Sequence, residues 1–556
     1  MSESPFDDPI EPTSFDLIVI GTGLPESVIA AAASTSGKTV LQLDPNDSYG
    51  SHFASHTLDD LTSFLNSHAA PPPSTAGVTT SSGSDYTTLD LNPRSLYSHI
   101  ETANYAPEIL AEHSRRFLID IGGPRVLFCA DKAIELILKS GVGSYLNFKA
   151  VDGNLIWDES SRGLCNVPDS RAAIFKDKGM SLKEKNQLMR FFKLVQRHLA
   201  AASDGEEDNE SSKISEEDLE TPFVDFLTTR LPHKIKSIIL YSIAMVDYDQ
   251  DNSKVCKSIL KTRDGISRLA LYQKSVGRFP DANGAFLYPM YGHGELSQAF
   301  CRRAAVKGCL QVLRRPVISL LMDKDSGQYK GVRLVSGQDL LSHRLVMDPT
   351  FTVPLPPASS PPDLPKESLK GDKRKVARGI CITTRSLKPD ISNLLLVYPP
   401  RSLFSEQDTS VRAIQIRGGT DGGGLAVCPS SMFVLYFSAL CDDAEQGKRL
   451  LHAAMNALLT LPVSGNLESG STVQSEDAEL KPTLLWSMLY IQEITTGQYE
   501  HLISTPMPDG NLNYDDLLDE TVLLFQKMYP DEAFFPETPS LPENPEEDIE
   551  GLSLED

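Results

Sequence analysis

Basic residues are scarce in this chain, and that scarcity narrows its partners first. Fifty-two Lys and Arg stand against 75 Asp and Glu, a formal net charge of −23 over 556 residues. So acidic a protein is unsuited to nucleic acid or to unassisted docking on an anionic bilayer, and suits basic protein partners. Cysteines number only eight, and none forms a C-x-x-C pair. Neither a zinc ribbon nor a redox dithiol is indicated, and buried, reduced thiols of an intracellular protein are expected. No run of about 18 apolar residues could span a bilayer. Residues 1–14 lack the basic and apolar regions of a signal peptide, and the final Ser-Leu-Glu-Asp is no prenylation box. A cytoplasmic protein is expected. Catalytic signatures are missing too: there is no G-x-S-x-G elbow, no H-E-x-x-H, no P-loop and no metal-ligand spacing.

What is present is ordinary globular material, with 40% hydrophobic and 23% charged residues, long enough for two to three domains at about 100–200 residues each. Residues 16–20 and 38–43 are short β-branched runs, and 25–36 is alanine-rich at helical spacing. This β-α-β unit implies a parallel sheet. Residues 145–158 suggest a hairpin around Asp152-Gly153-Asn154. Ser181 and Glu184 make a capping box, followed by Leu188, Phe192, Val195 and Leu199 at helical spacing. Residues 235–246 are apolar nearly all round, which predicts a buried helix. Strands return at 286–289, 310–313, 317–322, 329–335, 341–347, 379–384, 394–397 and 433–437, with helices at 131–140, 295–307 and 444–461. The expected fold is α/β (α+β): a Rossmann-like large domain over 16–167 and 278–535, interrupted by a helical domain at 168–277. Residues 1–15 and the acidic tail 536–556 are expected to be disordered, and 69–84 and 351–375 to be loops.

Residues 20–26 read Ile-Gly-Thr-Gly-Leu-Pro-Glu, after a strand and opening a helix. Asp44 ends the second strand 21 residues beyond Gly23, the separation at which a carboxylate meets a ribose hydroxyl. Gly21 permits the tight turn and Gly23 close backbone approach. The third position, where close packing of helix on strand asks for glycine, holds Glu26. A carboxylate there suits the helix dipole but repels a phosphate. A dinucleotide site and a retained fold with an empty site both remain open, and Glu26 favours the second. His293, in Tyr-Gly-His-Gly-Glu, is either an acid–base group or, as its setting favours, a loop histidine.

Three segments together carry a family resemblance. They are DLIVIGTGLPES with KTVLQLDPNDSYG (16–50), RFLIDIGGPRVL with SYLNFKAVDG (116–153), and GRFPDANGAFLYPMYGHGELSQAFCRRAAVKG (277–308). The chain resembles the GDP-dissociation inhibitors and Rab escort proteins, in which a like glycine loop also carries glutamate. The resemblance implies a large domain of flavin-monooxygenase type that carries no flavin, a vestigial FAD-type fold, with a smaller all-helical domain. It implies no catalysis by the chain itself. The implied partners are Rab GTPases in the GDP form, Rab geranylgeranyltransferase, the geranylgeranyl lipid and, transiently, a membrane. Phe300-Cys301-Arg302, Ala305-Val306 and Ser242-Ile-Ala-Met245 look like the escort version. A recycling inhibitor is the alternative, and a flavin-dependent oxidoreductase the rival of another class.

By the same resemblance Tyr49, Glu295, Gln298 and Arg302 make a Rab-binding platform. The last three lie at i, i+3 and i+7, hence on one helix face. Taken alone that face reads as solvated surface, and Tyr49 as a tyrosine closing a turn. Leu146, Phe148 and Val151 are candidates for the groove that takes the Rab C-terminus, with core packing the equal alternative. Ile235, Ile238, Ile239, Ile243 and Val246 are candidates for the lipid pocket, or simply a buried helix. Tyr272 is the candidate transferase contact, or a core tyrosine.

Overall fold

The computed structural model describes residues 8–69, 86–168, 171–176, 179–203, 213–352, 375–419, 424–462, 481–495, 498–499, 502–536 and 553–554. Of the expected loops, 70–84 and 353–374 lie outside them, as does most of the tail; at the ends of the second, Phe351–Thr352 pairs with Asn92–Pro93 and Lys375 opens a strand.

The strand Ser14–Ile20 is buried on both faces from Leu17 to Ile20, as the middle of a covered parallel sheet must be. It pairs in parallel with Val40–Asp44 on one side and Asp339–Met347 on the other, with Leu17 opposite Val40 and Arg344. Leu310–Leu313 adds a parallel strand beyond Val40–Asp44. Tyr329–Leu334, Val317–Asp323 and Tyr86–Asp90 extend the other side in antiparallel fashion. The helix Leu24–Thr35 is the predicted crossover. Its four alanines at 30–33 are fully buried, and their small side chains let the helices Gly294–Val306 and Asp515–Met528 pack against it.

A second sheet runs Gly163–Asn166, Gly153–Asp158, Leu394–Tyr398, Val411–Arg417, Phe433–Cys441, Lys375–Thr383, Leu484–Glu493, Tyr97–Asn104. A small third sheet joins Asn147–Ala150, Phe286–Pro289 and Leu127–Phe128. The predicted hairpin at 145–158 is therefore wrong. Asn147–Ala150 pairs with Phe286–Pro289 and Gly153–Asp158 with Leu394–Tyr398, so the two strands enter different sheets. The tail also departs from expectation: Ser553–Leu554 lies parallel to Asn147–Phe148 as an added edge strand.

The insert is helical as expected: Leu182–Ser203, Glu216–Glu220, Phe223–Thr228, His233–Ser237 and Thr262–Ser275. The apolar stretch 235–246 is buried, but only its start is α-helical. Ile238–Ile243 is a π-helix, and Met245 beyond it has φ 52°. The insert is not an independent globule. Phe191, Phe223, Ile239 and Leu269 share one continuous core with Ile156, Leu395, Val397 and Ile414 of the second sheet. All eight cysteines are free thiols, six of them buried. Among the described residues no helix is long and apolar enough to cross a membrane.

Candidate functional site

Three buried carboxylates converge on the glycine loop. Gly21 has φ 103°, and a Cβ there would lie 2.8 Å from Cβ of Asp348. A Cβ on Gly23 would lie 2.3 Å from Oε2 of Glu26. The space that glycines leave for a pyrophosphate is thus taken by the protein's own acids. Thr505 donates its hydroxyl to Glu26 Oε1, while Oε2 has no hydrogen-bond partner among the described residues. Asp44 accepts from Thr22 Oγ1 at 2.6 Å and from the Asn46 amide at 2.8 Å. Asp348 accepts from Ser51 Oγ and from Thr350 N, and His52 Nε2 lies 3.3 Å away.

Burial, then the charge of Asp348, pushes Glu26 well above the usual carboxylate range. Burial raises Asp44 to about 6 against its hydrogen bonds from Thr22 and Asn46. Burial acts the same way on Asp348, but His52, Ser51 and Thr350 outweigh it and hold that acid below the usual range. A dinucleotide does not fit these residues, since its phosphates would meet carboxylates where they need N–H donors.

Glu26 gives a testable consequence. Its folded pKa is raised above the ordinary 4.5, so between these values the native state holds a proton that the unfolded chain has released. The contribution to stability is present below pH 4.5 and falls as pH rises toward the folded value. Glu26→Gln is expected to flatten that decline in unfolding midpoints measured from pH 5 to 8, while leaving acid-side stability nearly unchanged.

A second polar hub joins the other two family-like segments. Asp120, from Phe-Leu-Ile-Asp-Ile-Gly-Gly, is 2% exposed. Its Oδ1 accepts from the His293 amide at 2.9 Å and from Ser55 Oγ, and its Oδ2 accepts from Tyr288 Oη. Ser55 Oγ in turn accepts from Gly294 N at 3.0 Å. The start of the helix Gly294–Val306 is therefore tied to the second segment by one carboxylate, with Ser55 bridging the two. His293 is buried. Burial pushes it down to about 4, and its ring is bonded to Tyr514 Oη and to the Arg125 carbonyl. Arg378 donates to the carbonyls of Gly122 and Gly123 at 2.9 and 2.7 Å, closing the hub from the second sheet. Among the described residues no group of three His, Cys, Asp or Glu could hold a metal ion.

The same helix carries Glu295, Gln298 and Arg302. Cys301 faces inward onto Ser27 Oγ at 3.1 Å, while Gln298 and Arg302 are exposed. The Arg302 guanidinium stands 4.4 Å over the Tyr145 ring. Glu295 is half-buried and accepts from Tyr291 N at 3.1 Å. Tyr49 is half-buried beside Cys301, Asp44 and Cys309, with burial the main cause of its raised pKa. The structure thus gathers Tyr49, Glu295, Gln298 and Arg302 around one helix. Sequence reasoning missed Tyr145 and Tyr291, the latter 46% exposed. No spacing rule links either to this helix face.

The remaining residues singled out in the sequence are buried. Leu146, Phe148 and Val151 are core residues, the first two packed with the helix Leu24–Thr35 and Val151 in the core of the second sheet. Their side chains line no open groove. Ile235, Ile238, Ile239, Ile243 and Val246 are all buried in that same second core, so no open lipid pocket lies among them. Tyr272 is 4% exposed, with its ring 5.9 Å from Phe286 and its hydroxyl accepting from Asn154. It is packed as a core tyrosine.

The structure is thus an α/β fold of Rossmann type whose glycine loop is filled by acids, with a helical layer on its second sheet. The GDP dissociation inhibitor profile matches residues 11–94 and 79–389. "Rab escort protein 1" of Arabidopsis thaliana is 54% identical, covering 99% of each chain. "Rab proteins geranylgeranyltransferase component A" of Drosophila melanogaster is 28% identical over 95% of this chain and 91% of its own. In fold the chain is similar to a Rab GDI of Plasmodium falciparum (TM-score 0.64, 15% identity, 94% of this chain and 99% of that one). It is also similar to an oxidoreductase of Methanosarcina mazei (TM-score 0.51, 10% identity, 92% and 100%). The chain belongs to the GDP dissociation inhibitor and Rab escort protein family.

Proposed function

We propose that this protein is an escort that binds unprenylated Rab GTPases in the GDP form and presents them to Rab geranylgeranyltransferase. It then shelters the geranylgeranyl groups and delivers the product to membranes from the cytosol. The observation that carries this reading is the end-to-end similarity to an escort protein. Tyr49, Glu295, Gln298 and Arg302 form the Rab platform, and the exposed Tyr291 beside Glu295 belongs to it. The chain supplies no catalytic group and holds no flavin, because carboxylates fill the loop. Its task is physical. A geranylgeranyl chain has about twenty carbons, and at ~0.8 kcal/mol per buried carbon its burial is worth up to roughly 16 kcal/mol. Holding it requires the closed helical core to part, and the π-helix Ile238–Ile243, off the α register and wholly buried, is where that core is least regular.

The test is a reconstituted reaction of Rab, transferase and geranylgeranyl diphosphate, with and without this protein. Transfer is expected only with it. Equal rates in both would overturn the escort reading, and extraction of already prenylated Rab from membranes without any effect on transfer would establish the inhibitor instead. Stoichiometric flavin absorbance in the purified protein would contradict both.

A further inference from the structure

Charge is unevenly spread in this acidic chain. Between residues 171 and 203, eight Lys and Arg face only two acids, Asp177 and Glu184. Most lie on the helix Leu182–Ser203. At about 100° per residue, Leu182, Lys183, Asn186, Arg190, Lys193 and Arg197 share one sector of about 100°. All six are exposed, and they lie opposite the buried Leu188, Phe191 and Val195. Among the described residues no acid forms an ion pair with Lys183, Arg190, Lys193 or Arg197. At the start of this helix Leu182 is 71% exposed, and Phe175, on the preceding short helix Arg171–Lys176, is 58% exposed. Lys185 Nζ donates to the Phe175 carbonyl at 2.9 Å, which ties the segment carrying Phe175 to the first turn of this helix.

A single exposed hydrophobe means nothing. Two of them beside a cationic stripe are the pattern of a helix that lies in a membrane interface, with the apolar pair entering the headgroup boundary and the cations meeting lipid phosphates. We propose that this face is the protein's contact with an anionic lipid surface. Charge complementarity makes the choice of occupant: a chain of net charge −23 is repelled by an anionic leaflet everywhere except where its cations are gathered. The inference rests on the proposed delivery role for its purpose, and it gives that role a defined orientation.

The test is flotation of the full chain with vesicles of phosphatidylcholine alone or with about one third phosphatidylserine. Binding is expected only to the anionic vesicles, and salt should weaken it. Each Lys or Arg near such a surface raises partitioning about fivefold, so Arg190→Glu with Lys193→Glu and Arg197→Glu should cost at least about a hundredfold. Phe175→Ser with Leu182→Ser should also reduce retention, with thermal unfolding unchanged in both variants. Wild-type protein that ignores anionic vesicles, or a triple variant that floats as well, would overturn the proposal. So would a triple variant that loses only the Rab–transferase complex, which would assign the face to a protein. Prenylation in vesicle-free solution is expected to be unchanged in the triple variant, so failure of the membrane face and failure of the escort reading give different results.

Discussion

Asp120→Ala is expected to lower unfolding stability by about 3–5 kcal/mol in urea titration and to abolish most Rab binding. The carboxylate is buried and accepts from the His293 amide, Ser55 Oγ and Tyr288 Oη. Truncation strands all three donors away from water, and each stranded donor costs about 1–3 kcal/mol. Burial, and then the charge of Asp120, keeps the Tyr288 phenol protonated as a donor. The loss is also local. His293 and Ser55 fix the first turn of Gly294–Val306, so freeing them misaligns Glu295, Gln298 and Arg302 together. Asp120→Asn retains the shape and one acceptor, and should fall between the two. An unchanged midpoint in the alanine variant would remove the hub from its organising role.

This hub marks where the sequence stops being legible. Periodicity places Ser14–Ile20, Leu24–Thr35 and Val40–Asp44 closely, because a buried β-branched run and an alanine helix leave few alternatives. It fails for partners. Alternation in 145–158 shows that residues face inward but not which strand lies beside them, and long-range pairing sends Asn147–Ala150 and Gly153–Asp158 to separate sheets. Leu484–Glu493 is buried on both faces over most of its length, so no alternation distinguishes strand from helix. Asp515–Met528 opens after Tyr514 with no side-chain cap, hence with no start signal. Glu26 was readable as an obstacle to phosphate, but Asp348, just past the end of the strand Asp339–Met347 and more than 300 positions later, was not. Asp120 did carry a signal: an acid inside the apolar run Phe-Leu-Ile-Asp-Ile has to be paired or repaid by hydrogen bonds.

Arg302→Glu is expected to weaken Rab binding by about 2–4 kcal/mol, roughly 30- to 1000-fold, by calorimetric titration. Arg302 is exposed yet ordered by its stacking on Tyr145, so it meets a partner with little side-chain freedom left to lose. Tyr145→Ala should cost less, about 0.5–1 kcal/mol, by removing that support. Arg302→Lys should be intermediate, because it keeps the charge and loses the planar fork. Glu295 adds a pH signature. Burial pushes it up to about 7, against the Tyr291 N–H and assisted by the charge of Asp120. If a basic Rab side chain meets this acid, the charged form binds better, so affinity should rise between pH 6 and 8 and level off above. Glu295→Gln removes the titrating group, and its affinity should be flat over the same range. An equal rise in both variants would place the pH dependence on the Rab and leave Glu295 as a helix-start residue bonded to Tyr291.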